Sequence, residues 1–319
     1  MGDLAKQPEG SGVRDEMIDW LLEGDVSIQY QTYRDLLREP RTDLRSRIAT
    51  EGWGSEFLRR RNGDGSWGRG FYQPKWTSTH YTLLDLATLQ VDPGHAAIDE
   101  SVRAIALTQK GRDGGINPAG TINESDVCIN GMYLNYACYF GETEENLASV
   151  VDFIIGQRMA DGGFNCRMNR SGARHSSLHS TLSVAEGISE YVRSGYQYRV
   201  RELMDAAASS HEFIMQHRLY KSDHTGEIIH PELLRLAFPP RWKFNILRAL
   251  DYFRSANLAR DPRMDDALAV LQSKRRADGR WPVQSAHPGQ VHFTMEKAGG
   301  PSRYNTLLAL RVLDHFGFG

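Results

Sequence analysis

Residues 113–137 read DGGINPAGTINESDVCINGMYLNYA. Asp113-Gly114-Gly115 is a turn signal, because glycine takes positive φ without steric cost. A loop follows, and from Cys128 the chain is apolar almost all round, the pattern of a buried helix. The same order returns 48 residues later, with DGGFN from Asp161 and HSTLSVAEGI from His179. A turn, a loop and a helix start make one unit, and self-similarity of this kind decides the fold.

The unit recurs in both directions. Gly-centred turns stand at DGSWG from Asp64, TGEII from Thr225 and DGRWP from Asp278, so the central glycines are Gly65, Gly114, Gly162, Gly226 and Gly279. Helix starts follow at His80, Lys243 and Arg303, and Tyr30 opens a similar segment without its own turn. Between them lie segments with a 3.6-residue apolar stripe, such as SVRAIALTQK, LASVVDFIIGQR and MDDALAVLQSKR. The glycine turns end these as C-caps. No stretch alternates with period 2, so no sheet is expected. The apolar register helices read as inner and the amphipathic ones as outer. Six such hairpins predict an all-α fold, an (α/α)6 toroid with a central cavity. Closure is favoured over an open array because the last helix, RYNTLLALRVLDHFGFG, is no polar cap. Residues 15–319 are expected to be a single domain and 1–14 a disordered leader.

Composition narrows the function. Among 319 residues, Lys and Arg number 38 against 40 Asp and Glu, a net charge of −2. That leaves no basic footprint for nucleic acid. No run approaches the roughly 18 apolar residues of a membrane span. Three cysteines, Cys128, Cys138 and Cys166, are too few for a disulfide scaffold and suggest the cytoplasm. Gly63-Asp64-Gly65-Ser66-Trp67-Gly68 matches GxGxxG in form only, since no strand precedes it.

The glycine turn with its aromatic, followed by a helix, resembles the repeat shared by terpenoid cyclases and protein prenyltransferase β subunits. The likeness covers roughly 15–319 and implies a toroid whose cavity lies at the inner-helix starts. In prenyltransferase β subunits an Asp-x-Cys at one helix start, with a His at the next, holds catalytic zinc. Asp126, Cys128 and His179 match those positions, and His175 is an alternative ligand. Carboxylate, thiolate and imidazole are ordinary zinc ligands, and three leave a fourth position open for an activated thiol or water. The resemblance therefore implies a zinc-dependent, prenyltransferase-like enzyme with Zn as cofactor.

Two departures keep other readings open. No Lys or Arg precedes the Asp-x-Cys, where prenyltransferases bind diphosphate; Arg167, Arg170, Arg174, Lys243 and Arg303 are the cations expected near the rim. No Asp-x-Asp-Asp acid motif of the cyclases occurs, so a cyclase-like enzyme would use Asp126 as general acid on an apolar substrate in a dry cavity. His80 and His175 are further acid–base candidates. Trp76, Tyr81, Trp242 and Tyr304 are expected to line a cavity for a small apolar or anionic molecule. The segment His287–Lys297 is expected over its mouth. A third reading is a non-catalytic toroid that binds a ligand or a partner protein.

Overall fold

The computed structural model describes residues 10–120, 122–166 and 172–318. The elements are helical, and no strand occurs among the described residues beyond isolated bridges such as Lys110–Ile116 and Pro282–Pro301. In chain order they are α1 (Gly10–Leu22), α2 (Val26–Thr32), α3 (Thr42–Arg47), α4 (Gly52–Leu58), α5 (Thr79–Thr88), α6 (Ala96–Thr108) and α7 (Val127–Tyr139). They continue as α8 (Glu144–Gly156), α9 (Leu178–Arg193), α10 (Val200–Gln216), α11 (Ile246–Ser255), α12 (Asp265–Ser273) and α13 (Arg303–Phe316). A π-helical turn, Tyr33–Leu37, extends α2. Residues 10–14, expected in the leader, open α1, and Arg14 pairs with Asp314 at the far end of the chain.

The repeat is written in hydrogen bonds. All five turn glycines sit at positive φ, between 73° and 92°. At four of the five turns, the backbone N–H two residues after the glycine donates to a side chain at the next helix start. Trp67 donates to Thr79 Oγ1 at 2.9 Å, Ile116 to Asn130 Oδ1 at 2.6 Å, Phe164 to Thr181 Oγ1 at 3.0 Å and Trp281 to Thr306 Oγ1 at 3.0 Å. The turn aspartates reach onward as well. Asp113 accepts from Ser125 N at 2.6 Å, and Asp161 from Ser176 N at 2.7 Å. Each bond satisfies a backbone donor of the turn or of the segment leading into the helix, and so ties the turn to the helix start. Before α13, Glu296 takes that role, accepting from Arg303 N at 2.7 Å.

These bonds correct the register. Thr79, Asn130, Thr181 and Thr306 are equivalent, so Thr77 and Tyr304 are the counterparts of Cys128 and His179. His80 stands three residues too late, about 4.5 Å deeper along its helix. Arg303 stands one residue early, about 100° away around the axis.

Packing follows the chain. Helix α7 lies against α5, α8 and α9; α11 against α12 and α13; and α13 against α1 and α2, so the two ends of the chain meet. The α7–α9 contact is the closest, because Gly131 and Gly187 face each other. A Cβ on Gly187 would stand 2.3 Å from the Gly131 carbonyl oxygen, and one on Gly131 2.6 Å from that of Ser183. Glycine at the crossing lets the two backbones touch and draws the N-termini of α7 and α9 together.

Candidate functional site

Six helices wall one central cavity of about 460 Å3, each contributing a polar side chain: Gln31 of α2, Asp85 of α5, Asn135 of α7, Glu186 of α9, Arg248 of α11 and Arg311 of α13. Its walls are ion-paired. Arg248 meets Glu186, with Nε 2.9 Å from Oε1, and Arg311 bridges Asp35 and Asp251. Asp85 is buried; its Oδ2 lies 3.3 Å from Arg241 Nη1 and accepts no hydrogen bond among the described residues. Burial pushes its carboxyl up to about 6. Asp126, the general acid of the cyclase-like reading, does not line this charged cavity.

A larger cavity, about 1070 Å3, opens at the N-termini of α7 and α9. Asp126, Cys128, His179 and Trp242, four of the residues read from sequence, line it. Its apolar wall includes Ile122, Leu178, Phe213, Ile229 and Leu233. Lys75 is the one Lys or Arg among its described lining residues. The Lys75 ammonium sits 4.9 Å from the ring centres of both Trp76 and Trp242, a cation held between aromatic faces. Burial lowers the pKa of that amine.

Sequence reasoning did not single out one further residue of this cavity's lining, Cys166. The backbone N–H of Cys128 donates to Cys166 Sγ at 3.2 Å, and Ser180 Oγ lies 3.5 Å from the same sulfur. Cys128 is in the first turn of α7 and Ser180 in the first turn of α9. Both helix dipoles therefore place their positive ends at one sulfur. The Cys128 thiol donates its hydrogen bond to Cys166, which favours ionisation of Cys166 and opposes that of Cys128. A signal was present in the repeat: Cys166 follows Gly162 by four residues, as Pro118 follows Gly114, and Pro118 lines the same cavity.

The zinc expectation meets the chemistry of His179. The Phe244 backbone N–H donates to His179 Nδ1 at 2.8 Å, and burial holds the ring neutral, its pKa pushed down to about 4. The ring proton is therefore on Nε2, and neither nitrogen offers a lone pair to a metal. His175, the alternative ligand, is exposed, and the cavity lining does not include it. No group of three or more His, Cys, Asp or Glu among the described residues could hold a metal ion. Asp126, Cys128 and His179 thus share a cavity, with His179 Nδ1 engaged by the Phe244 N–H.

The other candidates scatter. His80 is fully buried, with Nδ1 3.2 Å from Tyr136 OH, and burial pushes its pKa down to about 3. Trp76 and Tyr81 pack in a small core with Ile129 and Met132; Trp76 donates to Pro288 O at 2.7 Å. Lys243 pairs with Glu232 at 3.0 Å. Arg303 turns to α1 and donates to Trp20 O at 2.8 Å. Tyr304 stacks on Phe238 and lines the central cavity. Arg174 is exposed, while Arg167 and Arg170 lie outside the described residues. In the segment His287–Lys297, Gln290, Val291 and His292 wall a third cavity with Arg60 and Arg69 rather than the thiol cavity.

No helix among the described residues is long and apolar enough to cross a membrane. A scan against protein-family models found no match, and a search of curated proteins found none.

Proposed function

We propose that the chain is a toroid of six helical hairpins that uses Cys166 as a nucleophile on a small amphipathic molecule. The observation that carries the chemistry is the place of Cys166 Sγ, between the first turns of α7 and α9 and facing a cavity of about 1070 Å3. The toroid is supported by one cavity with a wall from each of six helices and by the contact of α13 with α2. It accords with the resemblance to terpenoid cyclases and prenyltransferase β subunits.

The substrate has an apolar body, for the wall of Leu178, Phe213, Ile229 and Leu233, and an anionic group, for Lys75. Cys166 reacts as the thiolate after losing its proton to solvent. Its lone pair forms a bond to an electrophilic carbon, the bond from that carbon to the leaving group breaks, and the leaving group departs with the electron pair. The class is group transfer to a protein thiol.

Iodoacetamide labelling of the native chain, mapped by peptide mass spectrometry, tests this. Cys166 should label first, well ahead of Cys138, which is only 3% exposed. Uniform slow labelling of all three cysteines would sink the reading.

A further inference from the structure

We infer that Cys128 and Cys166 form a redox-modified pair, closing to a disulfide when a hydroperoxide reaches the cavity. The inference rests on the reading of Cys166 as the attacking sulfur. It adds a partner, a reagent class and a product.

The geometry points to it in three ways. The sulfur of Cys166 lies 3.2 Å from the backbone nitrogen of Cys128, which donates to it. Within a residue Cβ is only two bonds from the backbone nitrogen, so this sulfur stands within a few ångströms of the Cys128 side chain, the range over which a disulfide closes. Both cysteines are half-buried and line the same cavity, so a small oxidant has a way in. Cys138, by contrast, is buried among apolar neighbours in the core of the α7 side. Cys166 stands in a turn rather than within a helix, and Cys128 is in a helix's first turn. Neither backbone lies in a helix interior, where local adjustment is hardest.

The chemistry balances. Cys166 thiolate attacks the terminal peroxide oxygen, the O–O bond breaks, and the alkoxide leaves to take a proton from solvent. Cys166 is then a sulfenic acid. The Cys128 sulfur attacks the Cys166 sulfur, the S–O bond breaks, and water leaves with the Cys128 proton. Two thiols are oxidised by two electrons, and the hydroperoxide is reduced to an alcohol and water. A small thiol reverses the modification by exchange. With both sulfurs consumed, the nucleophile is off.

The test treats the reduced full-length chain with hydrogen peroxide and maps it without reduction. The expected result is a linked peptide pair carrying Cys128 and Cys166, a fall in free thiols from three to one, and restoration by dithiothreitol. Iodoacetamide labelling of Cys166 should disappear with the disulfide and return on reduction. In Cys128→Ser, with its helical circular dichroism checked, Cys166 should instead stop at the sulfenic acid, trapped by dimedone, or proceed to the sulfinic acid. Wild-type Cys166 that reaches the sulfinic acid with no link to Cys128 would overturn the inference. If Cys166 still labels rapidly with iodoacetamide in that case, the nucleophile reading stands and only the disulfide falls. If Cys166 reacts with neither reagent, both fall.

Discussion

Arg311 Nη1 stands 2.7 Å from Asp35 Oδ2, although 276 residues separate them in the chain. Arg311 is in the last helix, α13, and Asp35 in the π-helical turn that extends α2. The same guanidinium donates from Nε to Asp251 of α11 at 2.6 Å, and only 8% of the residue is exposed. One side chain thus ties the end of the chain to its beginning and to the neighbouring hairpin. Within low-exposure surroundings such a network fixes which helices meet, while its removal leaves charges behind.

Arg311→Met should therefore destabilise the fold, by about 3 kcal/mol, because Asp35 and Asp251 lose a buried cation. The acid limb adds a second readout. Burial alone would raise both carboxyls, yet Arg34 and Arg311 hold Asp35 below its usual range, and Arg311 and Arg254 do the same for Asp251. A lowered folded-state pKa gives stability that is present above the unfolded value near 4 and lost as pH falls through the folded one. Urea melts from pH 7 to pH 3 should show wild type losing stability more steeply than Arg311→Met. Parallel curves would mean that Arg311 does not set these carboxyls.

How far the sequence reaches is clear from the turns and the thiols. Glycines 65, 114, 162, 226 and 279 were legible because positive φ is a backbone demand that glycine alone meets cheaply. The hairpin order was legible from the apolar period. The register was less so: Thr79 and Thr306 mark it through hydrogen bonds to Trp67 and Trp281, whereas His80 and Arg303 merely stand near helix starts. Cys166 was hidden because its role comes from two helices that meet through Gly131 and Gly187, a contact between segments more than fifty residues apart. His179 was found, but the donor on its Nδ1 comes from Phe244, which no local motif reveals.

Gly187→Ala tests the crossing that brings those helix ends together. The new Cβ would stand 2.3 Å from a backbone oxygen, so α7 and α9 must separate. Overpacking of this kind costs about 1–3 kcal/mol. The change should also slow iodoacetamide labelling of Cys166, because the Cys128 N–H and the Ser180 hydroxyl move apart. Gly156→Ala is the control. It has open space at its Cβ and ends α8. Alanine there should be neutral or stabilising by about 0.5–1 kcal/mol. Equal effects at the two positions would remove the crossing from the account of the site.

Asp85→Asn isolates the buried carboxylate of the central cavity. Burial raises its folded-state pKa to about 6, with Arg241 partly opposing; Tyr304 is a neighbouring titratable group. The folded chain then binds more protons than the unfolded one between pH 4 and pH 6. Wild type should lose stability as pH rises through that window, by about 2–3 kcal/mol in all. The Asn variant should lack this slope, although it leaves Arg241 without its acid. Thermal melts of both chains at pH 4.5 and pH 7 measure the difference, and a wild-type slope that survives in Asp85→Asn would assign it to another group.

Lys75→Met tests what the thiol cavity recognises. The Lys75 ammonium is the one Lys or Arg charge among the described lining residues, and Asp126 and Asp223 line the same cavity. An anion that enters must therefore draw on Lys75, against two carboxylates. A hydrogen bond to a charged group contributes about 1.5–3 kcal/mol, or roughly tenfold to a hundredfold in affinity. Methionine keeps much of the apolar length between Trp76 and Trp242 and removes the charge. Titration with dodecanoate and dodecanol, followed by tryptophan fluorescence, separates head from tail. Dodecanoate should bind wild type more tightly and lose about tenfold or more in Lys75→Met, while dodecanol binds both alike. If dodecanoate affinity is unchanged in the variant, Lys75 is not the anion's partner, and the cavity selects by its apolar wall alone.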